Sequence, residues 1–295
     1  MESLAQELID AIIEEVYRPC GFTSSMTGPN LCATSLVCRS WLPTSQRLLF
    51  QSVHLVYMQP RNRQKLYGAL LESPHLAGCI KRLWVETSLA IPPSSGITPF
   101  LLRPNRLEYF LITISEDAGT QWNDLDLDFQ QAIVRIFQLP TLRGVSICGD
   151  FVKFNEVTSL LRHARFLSTI NLFVYIYHEL TSEEEVAGQQ EVAGQQEDEG
   201  QLERFDLEKS GHLSVLVFDF FSIKLNTPVF IAWLLGQRSP FTVENIHTLA
   251  IDNIRHLEDG DSIQRLLHAI GTSLKRFSFN MHRKWSFHVE SKYVV

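Results

Sequence analysis

The feature that most constrains this chain is a spacing of apolar residues that returns along most of its length. In each copy an apolar residue is followed by a second after three positions and by a third after two more. The last two positions have the period of two that is typical of a short strand, and the first marks the approach to that strand. A possible first copy is Phe50/Val53/Leu55. Seven further triples have the same spacing: Ile80/Leu83/Val85, Leu107/Phe110/Ile112, Leu142/Val145/Ile147, Leu167/Ile170/Leu172, Leu213/Leu216/Phe218, Ile246/Leu249/Ile251 and Leu274/Phe277/Phe279.

Between the triples lie patterns with the period of an amphipathic helix. They cover residues 63–71, 128–138, 155–163, 229–235 and 262–270. Successive triples begin 25 to 35 residues apart, except for one interval of 46 residues. A strand, a turn, a helix and a return within about this length resemble leucine-rich repeats.

The repeat pattern therefore predicts an α/β fold with a leucine-rich-repeat-like solenoid, or horseshoe, over residues 56–295. In such a fold, stacked repeats bury a common core between a parallel sheet on the inside and helices on the outside. The irregular intervals, and the absence of the Asn or Cys that usually follows the strand, indicate a divergent form. An ordinary α/β domain with irregular crossovers is the alternative.

The long interval contains an acidic segment, residues 181–204. It holds eight carboxylates and a single base, so its net charge of −7 accounts for that of the whole chain. A hexapeptide, Glu-Val-Ala-Gly-Gln-Gln, occurs there twice in tandem, at 185–190 and 191–196. A polar segment with so little apolar surface to bury is predicted to be a disordered insertion. An acidic docking segment is the other interpretation.

Charge and composition exclude several classes of function. Without the acidic segment the chain is electrically balanced, whereas nucleic-acid-binding proteins often carry a strong basic field, so no nucleic acid is expected as a partner. The longest apolar run is far shorter than a membrane span, and the first residues lack the basic start of a signal peptide. Five cysteines without a C-x-x-C pair favour reduced thiols, and hence the cytoplasm or the nucleus.

The first 55 residues follow a different pattern, one of helices. A first helix is predicted over 3–17, with Ser3 and Gln6 as a capping box. A turn-rich loop precedes a second helix, predicted at 31–41. Residues 27–30 of this loop are expected to act as a stop and as the cap of that helix. Pro43 would end that helix, and Thr44 would cap a third one through Phe50. So small a unit with so many apolar residues is expected to complete part of its surface with a partner or with the adjoining repeats.

This region resembles an F-box of the kind found in large families of fungal F-box proteins. The resemblance is carried by Leu4-Ala-Gln-Glu-Leu-Ile-Asp-Ala-Ile-Ile13, then Leu36-Val-Cys-Arg-Ser-Trp41, then Leu48-Leu-Phe-Gln-Ser-Val-His-Leu55. It covers about 50 residues, with its separated motifs in the family's order. Ala5 stands where the family usually has Pro, a change that implies weaker adaptor contacts at that end.

The resemblance implies a substrate receptor of a Skp–cullin–F-box ubiquitin ligase, in which the F-box binds a Skp-type adaptor and, through it, a cullin. The repeats would hold a protein target. Trp41 is the expected anchor of the adaptor interface, and its alternative role is packing the F-box against the first repeat. The residues that match the family's adaptor contacts are Leu4, Leu8, Ile12, Ile13, Leu36, Val37 and Trp41.

In a leucine-rich solenoid, the residues that flank the apolar strand positions line the concave face. Several of these are aromatic or aliphatic although the core does not need them, a composition that suggests a protein or peptide partner. The alternative is that loops or the C-terminal segment cover some of them. The expected target-binding residues are Trp84, Tyr109, Leu111, Phe173, Val215 and Val217.

No catalytic, cofactor or metal motif is found, so the sequence predicts a non-enzyme without a cofactor. Two other classes of function remain open: a repeat-based interaction scaffold with a degenerate F-box, and an α/β enzyme of a kind that these motifs do not detect. Near the end of the chain, Trp285, Phe287 and Val289 alternate with polar residues, a pattern that is typical of a strand. Two interpretations remain open: this strand caps the array, or the array has lost further repeats.

Overall fold

Helices and strands alternate along most of the chain, as the repeated triples predict. The computed structural model describes residues 5–16, 27–55, 60–87, 97–114, 122–151, 154–176, 211–222, 226–237, 239–254 and 258–281. The predicted insertion at 181–204 and the predicted strand at 285–289 lie outside these residues. The fold is a mixed α/β one with a mostly parallel eight-stranded sheet.

The helices fall close to the segments that carry helical periodicity. Each predicted helix from residue 63 onward is confirmed, with ends that differ by a few residues. The α-helices are α1 (Gln6–Val16), α2 (Thr27–Ser35), α3 (Leu42–Gln51), α4 (Pro60–Glu72), α5 (Pro74–Ala77), α6 (Ile97–Leu101), α7 (Leu127–Phe137), α8 (Phe154–Arg162), α9 (Asn226–Leu235) and α10 (Glu258–Ile270).

Each of the seven triples from Ile80 onward lies at the start of a strand of the large sheet. The strands are β1 (Ser52–His54), β2 (Arg82–Thr87), β3 (Tyr109–Ile114), β4 (Gly144–Phe151), β5 (Thr169–Ile176), β6 (Gly211–His212), β7 (Val215–Ser222), β8 (Phe241–Thr242), β9 (Thr248–Ile254) and β10 (Arg276–Met281). The possible first triple, Phe50/Val53/Leu55, spans β1 from the end of α3. The order in the large sheet is β1-β2-β3-β4-β5-β7-β9-β10, which follows the chain, and β6 and β8 form a small parallel pair.

The N-terminal helices differ from the prediction at α1 and α2. Helix α1 begins at Gln6, and the side chain of Gln6 binds Asp10 and the Ser40 carbonyl. Ser3, the other residue of the predicted capping box, lies outside the described residues. Helix α2 spans 27–35 rather than 31–41, so residues 27–30 start the helix instead of stopping before it. Proline is tolerated in a first turn because its missing N–H has no partner there.

Helix α2 ends at Ser35, well before Pro43, for a local reason. The amides of Leu36 and Val37 bond to carbonyls three residues back, at 3.0 and 3.1 Å, which tightens the last turn. The Ser35 hydroxyl also donates to the Cys32 carbonyl at 2.6 Å. Helix α3 then begins at Leu42, two residues before the predicted cap at Thr44.

The triples form the core of the sheet. In the six triples that begin between Ile80 and Ile246, every apolar residue is at most 1% exposed. The last triple is different, because Phe277 and Phe279 are 42% and 51% exposed. Strand β10, which carries them, is the final strand in the sheet order.

A hydrogen-bond pattern that the sequence did not predict repeats at the approach to the strands. The carbonyl of the residue after the first apolar position accepts two backbone N–H groups from the next repeat in the sheet. The Lys81 carbonyl accepts from Glu108 at 2.8 Å and Tyr109 at 2.9 Å. The carbonyls of Glu108, Ser168, Ser214 and His247 each do the same. At these five steps the bonds fix the register of one strand against the next.

Contacts divide the chain into two units, residues 1–120 with 124–144 and residues 121–123 with 145–295. In the first unit, Phe110 and Phe137 pack edge to face with ring centroids 6.2 Å apart. In the second, Phe230 contacts the rings of Phe154 and Phe218 at 6.0 and 5.3 Å. Each unit therefore buries its own aromatic residues between helices and strands.

Candidate protein-interaction surfaces

The three N-terminal helices pack around a small apolar cluster. Ile9 and Ile13 of α1 and Leu31 of α2 are buried in it, and the half-buried Trp41, Leu48 and Leu49 pack against them. Ile9 and Ile13 share a face because they lie one helical turn apart. Of the residues predicted to contact an adaptor, Ile13 and Trp41 thus belong to the packing of this cluster.

Polar groups join α1 to the segments that follow it. The Asp10 carboxylate accepts from the Thr44 hydroxyl of α3 at 2.5 Å and from the Gln6 amide at 2.8 Å. The same Gln6 amide donates to the Ser40 carbonyl at 2.8 Å. Arg47 of α3 forms an ion pair with Glu14 of α1. These bonds hold α1 and α3 side by side with the loop at Ser40.

The remaining residues of the predicted adaptor surface are directed to solvent. On α1, Leu8 is 49% and Ile12 is 43% exposed, and they lie one turn apart on the face beside the buried one. Just after α2, Leu36 is 85% and Val37 is 62% exposed. Leu4 lies outside the described residues.

In the first unit, the predicted target-binding residues lie on the face of the sheet opposite the buried triples. Strands β2 and β3 alternate between buried and half-buried side chains, with Trp84, Tyr109 and Leu111 at half-buried positions. The register places His54, Trp84 and Leu111 in one row across β1, β2 and β3. Tyr109 lies in the row beside it, opposite Arg82.

His54 belongs to this surface although the sequence did not single it out. Its ring centroid lies 5.1 Å from that of Trp84, at an interplanar angle of 51°. Partial burial lowers the pKa of His54 below 6.5 because the charged imidazolium loses solvation there. The sequence did contain a signal for His54. Residues 52 and 54 flank the apolar positions of the possible first triple, Phe50/Val53/Leu55, just as the predicted target-binding residues flank those of the later triples.

The Trp84 indole has a polar atom of its own that is not satisfied. Its Nε1 is buried and has no hydrogen-bond partner among the described residues. Trp84 therefore contributes to this surface through the apolar area of its ring rather than through its N–H group.

In the second unit, Phe173, Val215 and Val217 are likewise half-buried on the face away from the triples. The register pairs Asn171 with Val217 and Phe173 with Asp219 between β5 and β7. Asp219 is in turn paired with Asp252 between β7 and β9. This part of the sheet combines apolar side chains with two neighbouring acidic positions.

The described residues offer no arrangement typical of a metal site, since no three His, Cys, Asp or Glu side chains among them are grouped to hold an ion. Within the same residues, no helix combines the length and the apolar character that crossing a bilayer requires. The chain matches no protein-family model, no curated protein and no solved structure.

Proposed function

We propose that this chain is the substrate-recognition subunit of a Skp–cullin–F-box ubiquitin ligase. In this proposal, residues 1–55 are an F-box that binds a Skp-type adaptor, and residues 56–295 hold a protein target. The chain is not itself an enzyme, because ubiquitin transfer belongs to its partner subunits. It acts in the cytoplasm, the nucleus or both.

The observation that carries this proposal is the exposure of Leu8, Ile12, Leu36 and Val37 beside a small buried cluster. Large apolar side chains gathered at the surface mark sites of protein association. These four are also residues that the F-box resemblance assigns to the adaptor. Ile13 and Trp41 support the interface from within, since they pack in the cluster beneath it.

We further propose that the repeats form a leucine-rich-repeat-like horseshoe. Support comes from the parallel strands in chain order and from the five carbonyls, described above, that each accept two N–H groups from the next repeat. The target would lie on the half-buried strand residues Trp84, Tyr109, Leu111, Phe173, Val215 and Val217. Small-angle X-ray scattering of the intact chain tests the shape, and a compact, near-spherical envelope would contradict it.

The adaptor proposal is tested by a pull-down of a purified Skp-type adaptor with the intact chain. Leu8→Asp and Leu36→Asp place a charge on the exposed apolar surface, so we expect each to abolish binding without unfolding the helices. Leu71→Asp is the matched control, because Leu71 is 58% exposed on α4, which is not part of this surface. Circular dichroism spectra must be unchanged in all three variants.

Failure of the intact, folded chain to bind the adaptor would contradict the ligase proposal. The chain would then be better described as an interaction scaffold with a degenerate F-box. One observation favours that second candidate: Ala5, whose carbonyl accepts the first bonds of α1 from Leu8 and Ile9, replaces the usual proline. An Ala5→Pro variant that gains adaptor binding would assign the failure to this position alone.

A further inference from the structure

A small cavity opens to solvent between helices α4 and α6 in the first unit. Its volume is about 40 Å³, several times the ~10–15 Å³ that a single water molecule needs. Leu70 and Phe100 are buried and form its floor, whereas Leu71 and Pro99 are exposed at its rim. The residues that line the cavity are Tyr67, Leu70, Leu71, Pro99, Phe100 and Arg103.

The one hydroxyl group of this lining belongs to Tyr67. Its ring packs against that of Phe100, with centroids 5.2 Å apart. The hydroxyl is shielded from solvent and has no hydrogen-bond partner among the described residues. Burial raises the pKa of Tyr67 above 10.0, so the hydroxyl stays protonated at neutral pH and is able to donate. A buried donor without an acceptor costs free energy, which a ligand that supplies an acceptor would recover.

A water molecule alone is a poor partner for this hydroxyl. An ordered water inside a protein usually has about two to four polar partners. The cavity offers few besides Tyr67, because four of its six lining side chains are hydrocarbon. A ligand that fills the apolar space and brings its own acceptor matches the cavity better.

Basic side chains lie around the opening. Arg103 is exposed there, and none of the described carboxylates forms an ion pair with it. Arg63 precedes Tyr67 by one helical turn, and its charge opposes the rise in the pKa of Tyr67. Helix α4 carries three bases in its first two turns and a single acid, at its last residue. Guanidinium groups bind carboxylates through paired, charge-assisted hydrogen bonds, so the opening favours an anionic partner.

We propose that this cavity binds a short acidic segment of a partner protein. One aliphatic side chain of that segment enters the cavity, and flanking carboxylates accept from the Tyr67 hydroxyl and from Arg103. A branched side chain such as that of leucine suits the size and the apolar lining of the cavity. The cavity shares no residue with the proposed adaptor surface or with the predicted target-binding residues. The inference therefore goes beyond the ligase proposal and does not depend on it.

The test is an NMR titration of the full chain with a defined probe, the peptide acetyl-Glu-Glu-Leu-Glu-Glu-amide. We expect saturable shifts of the backbone amide signals of the residues that line the cavity. Two matched peptides should bind several-fold more weakly. One has serine in place of leucine and lacks the aliphatic group, and the other has glutamine in place of every glutamate and lacks the charge.

Three variants of the chain identify the groups that bind the probe. Arg103→Glu should weaken binding several-fold, whereas Arg265→Glu, the same change at an exposed arginine of α10 in the second unit, should leave it unchanged. Tyr67→Phe removes only the hydroxyl, so we expect binding to weaken several-fold. Its melting temperature should not fall, because the lost hydroxyl forms no hydrogen bond with the described residues.

Equal binding of the leucine and serine peptides, or equal weakening by Arg103→Glu and Arg265→Glu, would indicate general charge attraction and would overturn the proposal. Unchanged binding by Tyr67→Phe would overturn it too, as would the absence of shifts at the cavity. Shifts confined to the predicted target-binding residues would assign the peptide to that surface instead. A probe that binds only to a variant without residues 181–204 would assign the cavity to the acidic segment of the chain itself, against the proposal of a separate partner.

Discussion

At the scale of single residues, Asp10 holds the N-terminal helices together through its carboxylate. The bond from Thr44 is the main reason that the pKa of Asp10 lies below 3.8, followed by the bond from Gln6, with a further contribution from Arg47. Each of these groups favours the ionised form. A lowered carboxyl pKa stabilises the folded state above the pKa of the unfolded chain, and that stabilisation is lost as the pH falls through the folded pKa.

The first prediction concerns this carboxylate. Replacing Thr44 with Val removes the largest cause of the shift, so the pKa of Asp10 should rise toward 3.8. An NMR titration of the Asp10 carboxyl carbon measures it directly. Arg39→Gln, a change of an exposed base elsewhere in this region, should leave the titration unchanged. An unshifted midpoint in the Thr44→Val variant would contradict the assigned bond.

The second prediction concerns His54. Trp84 packs against its ring and helps to exclude water, so Trp84→Ala should raise the pKa of His54 toward 6.5. Because the pKa of His54 is depressed in the folded state, the unfolded chain takes up the proton first. The folded state therefore has its full stability above pH 6.5 and loses stability as the pH falls through the folded pKa of His54. NMR of the imidazole proton gives the midpoint. Leu111→Ala, in the same row, is the control. It should leave the pKa of His54 unchanged, whereas a shift as large as that of Trp84→Ala would indicate a general loosening of the strands rather than the loss of a specific ring contact.

At the scale of elements, strand β7 has one fully buried face and one half-buried face over residues 215–218. On β7, Phe218 is 1% exposed and its ring lies 5.3 Å from that of Phe230 in α9. Its neighbour Val217 projects to the other side and is half-buried. The two faces therefore differ in how much stability a truncation removes, even between adjacent residues.

The third prediction uses this pair. Phe218→Ala should lower the free energy of unfolding by about 3–5 kcal/mol, the usual effect of deleting a buried aromatic ring. Val217→Ala should change it by about 1 kcal/mol or less. Urea denaturation measures both values. Equal effects at the two positions would show that the register of β7 differs from the one described.

Much of this element structure could be predicted from the sequence, for a physical reason. The spacing of the apolar residues already predicts which side chains are buried, as in the triples Ile80/Leu83/Val85 and Leu213/Leu216/Phe218. The strands and the helices between them could therefore be predicted from local pattern. The end of α2 did not follow, because bonds from Leu36 and Val37 to carbonyls three residues back ended the helix before Pro43 could. The bond between Thr44 and Asp10 and the contact between His54 and Trp84 each join residues at least 30 positions apart, a relation that no local pattern encodes.

At the scale of the whole molecule, each strand of the sheet depends on its neighbours for register. The Glu108 carbonyl binds the amides of Arg143 and Gly144 at 2.8 and 3.0 Å, and the Ser214 carbonyl binds those of His247 and Thr248 at 3.0 and 3.2 Å. A strand at the edge of a sheet has a partner on one side only, so fewer bonds hold it and it opens more readily than a strand inside the sheet. Strands β1 and β10, at the two edges, are thus the expected points of first opening.

The fourth prediction follows from this dependence. Hydrogen exchange should be slowest at strand amides within β5 and β7, which have a partner on both sides in the sheet order, and faster at those of β1 and β10. Mass spectrometry of exchanged peptides resolves these strands. Protection that is uniform across the sheet would mean that the strands open together rather than from the edges.

The pairing of β5 with β7 has a consequence for how this chain tolerates changes of length. The two strands remain in register from Thr169 beside Val215 to Ile176 beside Ser222, although the longest interval between triples separates them. Register is set by the Ser168 carbonyl and the amides of Ser214 and Val215, not by the length of the connection. Duplication of a short coding segment there, as the tandem hexapeptide suggests, would leave the order of the strands unchanged. The same connection is a suitable place to insert a fluorescent reporter without disturbing the sheet.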